Sequence, residues 1–250
     1  MTKVLLTRPL ESSQELAGWL DKHGLASIVM PLYTFAACEP GSDPCSAWSD
    51  PEKRSLAVFT SPRAVHFGVA HIPADRVQEI EFAVVGAATR RKLESYGYSV
   101  HLQAKHGYTS EDLLREAELT TDPGQAVIFC APGGRDALAE GLTALGWEAS
   151  SAMVYERLPL TPAASQVQAL ADADDLLSVW TGVSALELAR KSLPAEIWRK
   201  ILATTALVIS ARIQHHLQEL GANRVLRADG PGNNELLQSI LRLTGRQIDA

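Results

Sequence analysis

Six short apolar runs recur along the chain, and each ends in small or hydroxyl-bearing residues before a segment with helical periodicity. The runs with their endings span residues 4–9, 57–62, 83–87, 127–134, 178–182 and 207–212. An apolar run followed by a helical segment is typical of a buried parallel strand and its crossover helix. Ligands of such sheets bind outside the carboxyl ends of the strands, where backbone N–H groups at helix starts favour anions. The pattern therefore predicts a two-domain α/β protein that binds an anionic ligand.

The chain contains a second copy of much of its own pattern. Residues 84–113 align without gaps with 208–237, residues 59–64 resemble 180–185, and the segment 16–33 recurs at 138–155. In each copy a helix ends at a glycine and a strand follows, as Gly24 and Gly146 illustrate. Three matched blocks indicate an internal duplication.

The order of the blocks predicts two interleaved domains. The N-terminal β-α-β block precedes the first middle copy, whereas its partner follows that copy. If each domain contains one copy of every block, residues 1–34 join 160–250, and residues 38–153 form the other domain. The two crossings, residues 31–37 and 153–159, are rich in β-forming residues, so we expect them to pair as a two-stranded linker.

Composition narrows the classes of function. The chain of 250 residues is 46% hydrophobic, which supports a packed core and argues against disorder. Its net charge of −6 argues against a broad nucleic-acid surface. No apolar run approaches the roughly 18 residues of a membrane span, and the first residues do not resemble a signal peptide. Cys38, Cys45 and Cys130 are an odd set with no CxxC spacing, so we expect free thiols in a reducing cytoplasm.

Sequence motifs of several other enzyme classes are absent. None of the 7 histidines stands at a metal-ligand spacing, and no Gly-x-Ser-x-Gly hydrolase motif occurs. Residues 131–135 lack the Gly-Lys-Ser/Thr ending of a phosphate-binding P-loop. We therefore expect no metal site. Trp48, Trp147, Trp180 and Trp198 are expected to be core residues and not stacking platforms, with Trp180, at a strand end, the one alternative candidate for ligand contact.

Five segments of the chain stand in a recognisable order: residues 4–9, 59–65, 83–89, 154–157 and 208–212. Together they resemble the uroporphyrinogen-III synthase family, in its bacterial branch, over nearly the full length of the chain. The resemblance implies two flavodoxin-like parallel-sheet α/β domains, interleaved in sequence and joined by a two-stranded β linker. It also implies an active site in the cleft between them.

The same resemblance implies the reaction and its partners. Members of this family are lyases (EC 4.2.1.75) of porphyrin and haem biosynthesis that cyclise hydroxymethylbilane, an octacarboxylate linear tetrapyrrole, to uroporphyrinogen III. Ring D is inverted through a spiro intermediate, water leaves, and no cofactor takes part. We accordingly expect a cytoplasmic monomer that receives hydroxymethylbilane by transient hand-over from hydroxymethylbilane synthase and binds neither nucleic acid nor membrane.

Loss of the substrate hydroxyl as water requires a proton donor, and Tyr155 is the predicted catalytic residue. It lies on the second linker strand, where the family has a functionally sensitive tyrosine, and a phenol can hydrogen-bond to the departing hydroxyl. The alternative is a structural tyrosine whose ring packs in the linker and whose hydroxyl is solvated. Its repeat partner, Tyr33, is expected to be structural.

The substrate carboxylates require anion-binding groups at the strand ends. Backbone N–H groups at helix starts suit them, and arginines add charge-assisted hydrogen bonds. The predicted substrate-binding residues are Thr7, Arg8, Thr60, Ser61, Arg63, Gly86, Thr181, Gly182, Ser184, Ser210 and Arg212. Because Ser and Thr are also ordinary N-caps, each hydroxyl has an alternative role as a helix cap alone.

Three places depart from the family pattern, and one of them is residues 131–135, which lack the basic residue that some relatives place before the glycines. Many relatives have Thr-Ser where this chain has Thr181-Gly182, and some carry paired Thr where it reads Ser210-Ala211-Arg212. Two other functions therefore stay open: a non-catalytic two-domain protein that closes on a small anion, and a synthase paralogue without activity. The interleaved order and the crossing at residues 154–157 favour the enzyme.

Overall fold

The computed structural model describes residues 2–40, 44–105, 109–132 and 136–246. Within these ranges, strands and helices alternate along most of the chain. The strands are β1 (Thr2–Leu6), β2 (Ser27–Val29), β3 (Tyr33–Ala37), β4 (Ser55–Phe59), β5 (Ile80–Val84), β6 (Leu102–Gln103), β7 (Gln125–Cys130), β8 (Glu148–Met153), β9 (Tyr155–Pro159), β10 (Asp175–Trp180), β11 (Thr205–Val208) and β12 (Arg224–Arg227). The helices are α1 (Leu10–Lys22), α2 (Pro62–Gly68), α3 (Ala87–Glu94), α4 (Ser110–Leu114), α5 (Asp136–Ala144), α6 (Ala164–Ala171), α7 (Val183–Ser192), α8 (Ala195–Ala203), α9 (Ala211–Glu219) and α10 (Asn233–Leu243).

The chain forms two compact units. One contains the described residues of Met1–Thr34 and Leu158–Ala250, and the other contains those of Phe35–Arg157. The chain passes from one unit to the other inside β3 and again inside β9, and these strands pair as a small antiparallel sheet. The first unit is therefore discontinuous in sequence, and the second is inserted within it.

The first unit contains a five-stranded parallel sheet in the order β2-β1-β10-β11-β12. Counted along this unit, the order is 2-1-3-4-5, which is the flavodoxin-like arrangement. Its central strands are apolar and almost fully buried, as expected of a parallel sheet with helices on both faces. The predicted parallel-sheet α/β class is thereby confirmed for this unit.

The second unit repeats this arrangement with a shifted start. Its sheet has the order β6-β5-β4-β7-β8, all strands parallel, and becomes 2-1-3-4-5 when β7 and β8 are counted first. The pairing register agrees as well, because Leu207 pairs with Leu226 as Ala83 pairs with Leu102. The block that opens the first unit therefore has its counterpart at the end of the second, as the repeated sequence predicts.

The repeated glycines end their helices by the same geometry. Gly24 after α1 and Gly146 after α5 have left-handed φ angles of +66° and +95°. In each case the amide that follows the glycine donates to a carbonyl inside the helix, that of Leu20 at 2.9 Å and that of Leu142 at 3.0 Å. This hydrogen bond is typical of a helix that ends at a glycine, and it turns the chain directly into β2 or β8.

Two apolar clusters fill the faces of the second sheet, because successive strand residues point to opposite sides. One packs against α2 and α3 and includes Trp48, Phe59, Phe82 and Phe129. The other packs against α4 and α5 and includes Leu56, Ile128 and Trp147. The stacked rings of Phe59 and Phe129, 4.7 Å apart, join β4 to β7 directly behind the carboxyl ends of these strands.

Further sequence predictions concern the cysteines, the fourth apolar segment and the absence of a membrane span. Cys38 and Cys130 form no disulfide within the described residues, and the side chain of Cys45 lies outside those residues, as do Gly133 and Gly134 of the fourth apolar segment. No helix in the described ranges combines the length and apolar character that a membrane span requires.

Candidate functional site

Thr60 and Ser61 follow the carboxyl end of β4, the central strand of the second sheet. The Thr60 hydroxyl donates to the carbonyl of Phe129 on β7 at 3.1 Å, which ties two neighbouring strand ends together. Ser61 is the N-cap of α2, since its Oγ accepts from the amide of Ala64 at 3.0 Å. Both hydroxyls therefore have a structural role, and Ser61 has a further partner.

That partner is Tyr155, the first residue of β9. Its phenol oxygen lies 3.1 Å from the Ser61 Oγ, and either hydroxyl can be the donor. The side chain is 8% exposed, and its ring stacks on Phe67 at 5.6 Å while the edge of Phe35 approaches at 5.7 Å. The preceding residue, Val154, is buried and donates its amide to a β7 carbonyl. The phenol is thus held in one place, beside a strand end.

Two arginines lie over the ring of Phe35, which contacts Tyr155. The Arg63 guanidinium, on α2, lies 4.8 Å from the centre of the Phe35 ring, and that of Arg157, on β9, lies 6.0 Å from it. Cation–π contacts of this kind hold a guanidinium in position without neutralising its charge. The second unit therefore brings together a phenol, a serine hydroxyl and two cations.

Three further helix starts lie at strand ends where the sequence predicts them. Gly86 and Gly182 are the N-caps of α3 and α7, with extended φ angles of −139° and −167°. Ser210 is the N-cap of α9, and its Oγ accepts from the amide of Ile213 at 3.3 Å. Thr181, just before α7, is half-buried. Each of these starts exposes backbone N–H groups that favour an anion.

Two predicted ligand contacts point into the first unit instead. Thr7 is fully buried and donates its hydroxyl to the carbonyl of Val179 at 2.8 Å, so only the backbone that follows it stays a candidate for substrate binding. Trp180 lies in the core, as expected of the tryptophans, and its alternative role as a ligand contact is excluded by its burial. Its ring is fully buried against Trp198, and its indole N–H donates to the Ser178 hydroxyl at 2.9 Å.

Arg8, at the carboxyl end of β1, is a half-buried cation of the first unit. It donates to the amide oxygen of Asn233 at the start of α10, and Asn233 donates in turn to Glu15 at 2.6 Å. Burial lowers the pKa of the Arg8 guanidinium, and the nearby Tyr33 and Glu15 partly oppose that shift. Because arginine stays charged and its direct partner is a neutral amide, Arg8 is suited to bind a ligand carboxylate.

The remaining predicted residues, Ser184 and Arg212, lie in the first turns of α7 and α9 and are exposed. Sequence reasoning missed Phe35, Phe67 and Asn233, and it included Arg157 only as part of a motif. Tyr33, Phe35 and Ala37 alternate along β3, which places Phe35 on one side of the strand. That alternation was the only available signal for Phe35.

The described part of the chain contains no cluster of three or more His, Cys, Asp or Glu side chains arranged to hold a metal ion. The groups that lie at the strand ends of each unit are cations, backbone amides and hydroxyls.

The comparisons with known proteins are decisive about the family. The family model described as uroporphyrinogen-III synthase HemD matches residues 14–238. The chain belongs to the uroporphyrinogen-III synthase family. The family resemblance inferred from the five ordered segments is thereby confirmed, and with it the lyase class EC 4.2.1.75 and the place in porphyrin and haem biosynthesis.

Curated relatives of the family match over nearly their whole length. The uroporphyrinogen-III synthase of Salmonella typhimurium is 26% identical over 95% of this chain and 99% of its own length. The Escherichia coli enzyme of the same name is 25% identical with the same coverage. This chain therefore spans the length of these family members.

Solved structures of the family share the fold. A uroporphyrinogen III synthase from the extremely thermophilic bacterium Thermus thermophilus superposes with a TM-score of 0.63 at 16% identity, covering 98% of this chain and 100% of the other. The Helicobacter pylori protein gives 0.65 at 18% identity, covering 97% and 100%. The predicted fold class, two parallel-sheet α/β units with a small antiparallel sheet, is confirmed.

Proposed function

We propose that this chain is a uroporphyrinogen-III synthase in which Tyr155 donates the proton that releases water from hydroxymethylbilane. The observation that carries the activity is the family match over residues 14–238. What supports the role of Tyr155 is its fixed phenol beside a strand end, in contact with Ser61, with two arginines over the neighbouring ring of Phe35.

The reaction needs little covalent chemistry from the protein. The C–O bond of the hydroxymethyl group breaks, a proton from the phenol completes the leaving water, and the pyrrole becomes an electron-poor azafulvene. Ring D attacks it through its substituted α-carbon to give the spiro intermediate, which fragments and recloses with ring D inverted. The proton that the closing ring loses restores the phenol, so atoms and protons balance without a cofactor.

Positioning decides the product, because the same bilane cyclises unaided to the non-inverted type I isomer. A discrimination of tenfold between two products needs only about 1.4 kcal/mol, which fixed carboxylate contacts supply readily. We assign this role to Arg8 in the first unit and to Arg63 in the second, with Arg157 as an added cation. Arg212, exposed on α9, is a further candidate.

Backbone N–H groups at the starts of α3, α7 and α9 are proposed as the other carboxylate contacts. Each such contact contributes about 0.3–1 kcal/mol when exposed. In this proposal Gly86, Thr181, Gly182 and Ser210 act chiefly through their backbone, which explains why a glycine can stand where many relatives have serine. Thr60 and Ser184 add hydroxyls at the same strand ends.

The proposal extends to the partners of the enzyme. We propose a cytoplasmic monomer that takes hydroxymethylbilane by transient hand-over from hydroxymethylbilane synthase. The lability of the substrate supports the hand-over, because free bilane is lost to the type I isomer.

An isomer-resolved assay tests the proposed function. Hydroxymethylbilane is generated in situ and offered to the purified chain without added metal or cofactor, and the oxidised products are separated by isomer. We expect type III to dominate, whereas a parallel reaction with heat-denatured protein gives type I. Type I alone from a folded protein would instead indicate a binding protein or an inactive paralogue.

A further inference from the structure

We propose that Ser61 is a positioning residue that sets the direction of the Tyr155 hydroxyl hydrogen. The inference rests on the proposed role of Tyr155 as proton donor. Its basis is the pair of hydroxyl oxygens 3.1 Å apart, together with the second hydrogen bond that Ser61 makes to the amide of Ala64 at 3.0 Å.

A count of hydrogens limits the possible arrangements. A hydroxyl group offers one hydrogen and two lone pairs, and the amide of Ala64 occupies one lone pair of Ser61. If Tyr155 donates to Ser61, the phenol hydrogen is used within the protein. If Ser61 donates to Tyr155, the phenol hydrogen is left to point at a ligand. Only the second arrangement allows Tyr155 to protonate a departing hydroxyl.

The start of α2 favours this second arrangement. A hydroxyl oxygen that already accepts a hydrogen bond becomes a stronger donor through its own hydrogen, because hydrogen bonds in a chain polarise one another. As the phenol loses its proton, the Ser61 hydroxyl also stabilises the developing negative charge on the phenol oxygen, where charge-assisted hydrogen bonds are strong. Ser61 thus acts on the proton transfer through Tyr155.

The aromatic contacts keep the two hydroxyls together. The Tyr155 ring lies at 17° to the ring of Phe67 and at 67° to that of Phe35, so it is held on two sides. The amide of Val154 donates to the Cys130 carbonyl at 3.0 Å, which anchors the backbone just before the tyrosine. The phenol oxygen therefore has little freedom to leave Ser61.

A double-mutant cycle tests the inference, with kcat and KM for type III formation measured in four proteins: wild type, Ser61→Gly, Tyr155→Phe and the double variant. Glycine is the chosen replacement because it costs a helix N-cap far less than alanine does. We expect Ser61→Gly to lower kcat about tenfold with KM within about twofold, a loss of about 1.4 kcal/mol. In the Tyr155→Phe background the same change is expected to have no further effect on kcat.

Two additional variants separate positioning from folding. Ser61→Thr keeps the hydroxyl and is expected to restore most of the lost kcat. Thr109→Gly removes the capping hydroxyl of α4, which packs on the opposite face of the same sheet from α2, and is expected to leave kcat unchanged. The ¹³Cζ resonance of Tyr155 reports hydrogen bonding at its oxygen, so it is expected to shift in Ser61→Gly and return in Ser61→Thr.

The outcomes are distinguishable. Equal losses of kcat in both backgrounds, or an unchanged kcat in Ser61→Gly, would overturn the inference about Ser61 while leaving Tyr155 as the donor. A folded Ser61→Thr protein without recovery would also overturn it. Full activity in Tyr155→Phe alone would remove the proposed role of Tyr155 itself.

Discussion

Replacing Tyr155 by phenylalanine separates the chemistry of the phenol from the packing of its ring. The ring contacts with Phe35 and Phe67 remain, and only the hydroxyl and its hydrogen bond to Ser61 are lost. A buried hydrogen bond contributes about 1 kcal/mol, so we expect the melting temperature to fall by about 2–4 °C for a chain of this size. A general acid contributes at least about 10²-fold to the rate, so we expect kcat to fall at least that far.

The isomer-resolved assay measures both the rate of type III formation and the fraction of product that is type III. Spontaneous closure sets a floor of type I product, so a slower enzyme yields a falling fraction of type III. The matched control is Tyr33→Phe, because Tyr33 lies on the other crossing strand and is 9% exposed, against 8% for Tyr155. We expect Tyr33→Phe to keep kcat within about twofold, far less than the general-acid effect.

Two results would refute the reasoning about Tyr155. A Tyr155→Phe protein with kcat within about threefold of wild type has lost no general acid. A loss of activity that Tyr33→Phe reproduces would assign the effect to the pairing of β3 with β9 and not to the phenol.

Two further predictions concern helix starts, and a third concerns an ion pair in the middle of α7. Gly182→Ser is expected to raise the melting temperature by about 1 °C and keep kcat/KM, because the extended backbone accepts a side chain, an added Cβ meets only the Ser184 Oγ at 3.8 Å, and serine caps slightly better than glycine; a loss of activity in steady-state kinetics would show that bulk at this site blocks the substrate. Asn233→Ala is expected to raise KM several-fold with kcat unchanged, because Arg8 loses the amide that orients it; an unchanged KM would exclude Arg8 as an anchor. The hydrogen bond from the Arg190 guanidinium lowers the pKa of Glu187 below its ordinary value of 4.5. The ionised Glu187 therefore stabilises the folded state above pH 4.5, and this stabilisation is lost as the pH falls through the lowered pKa. Urea unfolding across pH should therefore show the stability gap between wild type and Glu187→Gln closing in acid, and a gap independent of pH would contradict this.

The sequence predicts the parts of the fold that local signals encode. Strand ends at Thr60, Gly86 and Ser210 could be found because each pairs a short apolar run with a residue suited to start a helix. The shared sheet order could be found because the repeat keeps its spacing, so equal registers follow from equal loop lengths. The strand ends are marked by residues adjacent in sequence, and the repeat is visible as matched spacing, so a single sequence is informative about both.

Side-chain direction could not be found in the same way. Trp180 and Thr7 stand at strand ends, yet strand pairing turns both inward, where Ser178 and the carbonyl of Val179 meet their polar groups. The contact of Phe67 with Tyr155 joins residues far apart in sequence, and neither shows a local sign of it. Contacts of this kind depend on how a helix such as α2 packs beside a strand that is distant in sequence.

The duplication gives the two units similar strand ends but not the same chemistry. Ser61 corresponds in the repeat to Gly182, and Tyr155 corresponds to Tyr33, so the hydroxyl that faces Tyr155 has no counterpart in the first unit. Backbone amides at helix starts need no particular side chain, and they survive in both copies. This asymmetry suits the substrate, because carboxylates are spread along the whole bilane whereas only one end carries the hydroxyl that must leave. Anion-binding groups are therefore needed in both units, whereas a directed proton donor is needed in only one. Divergence of the two copies at these positions is therefore what the proposed reaction requires.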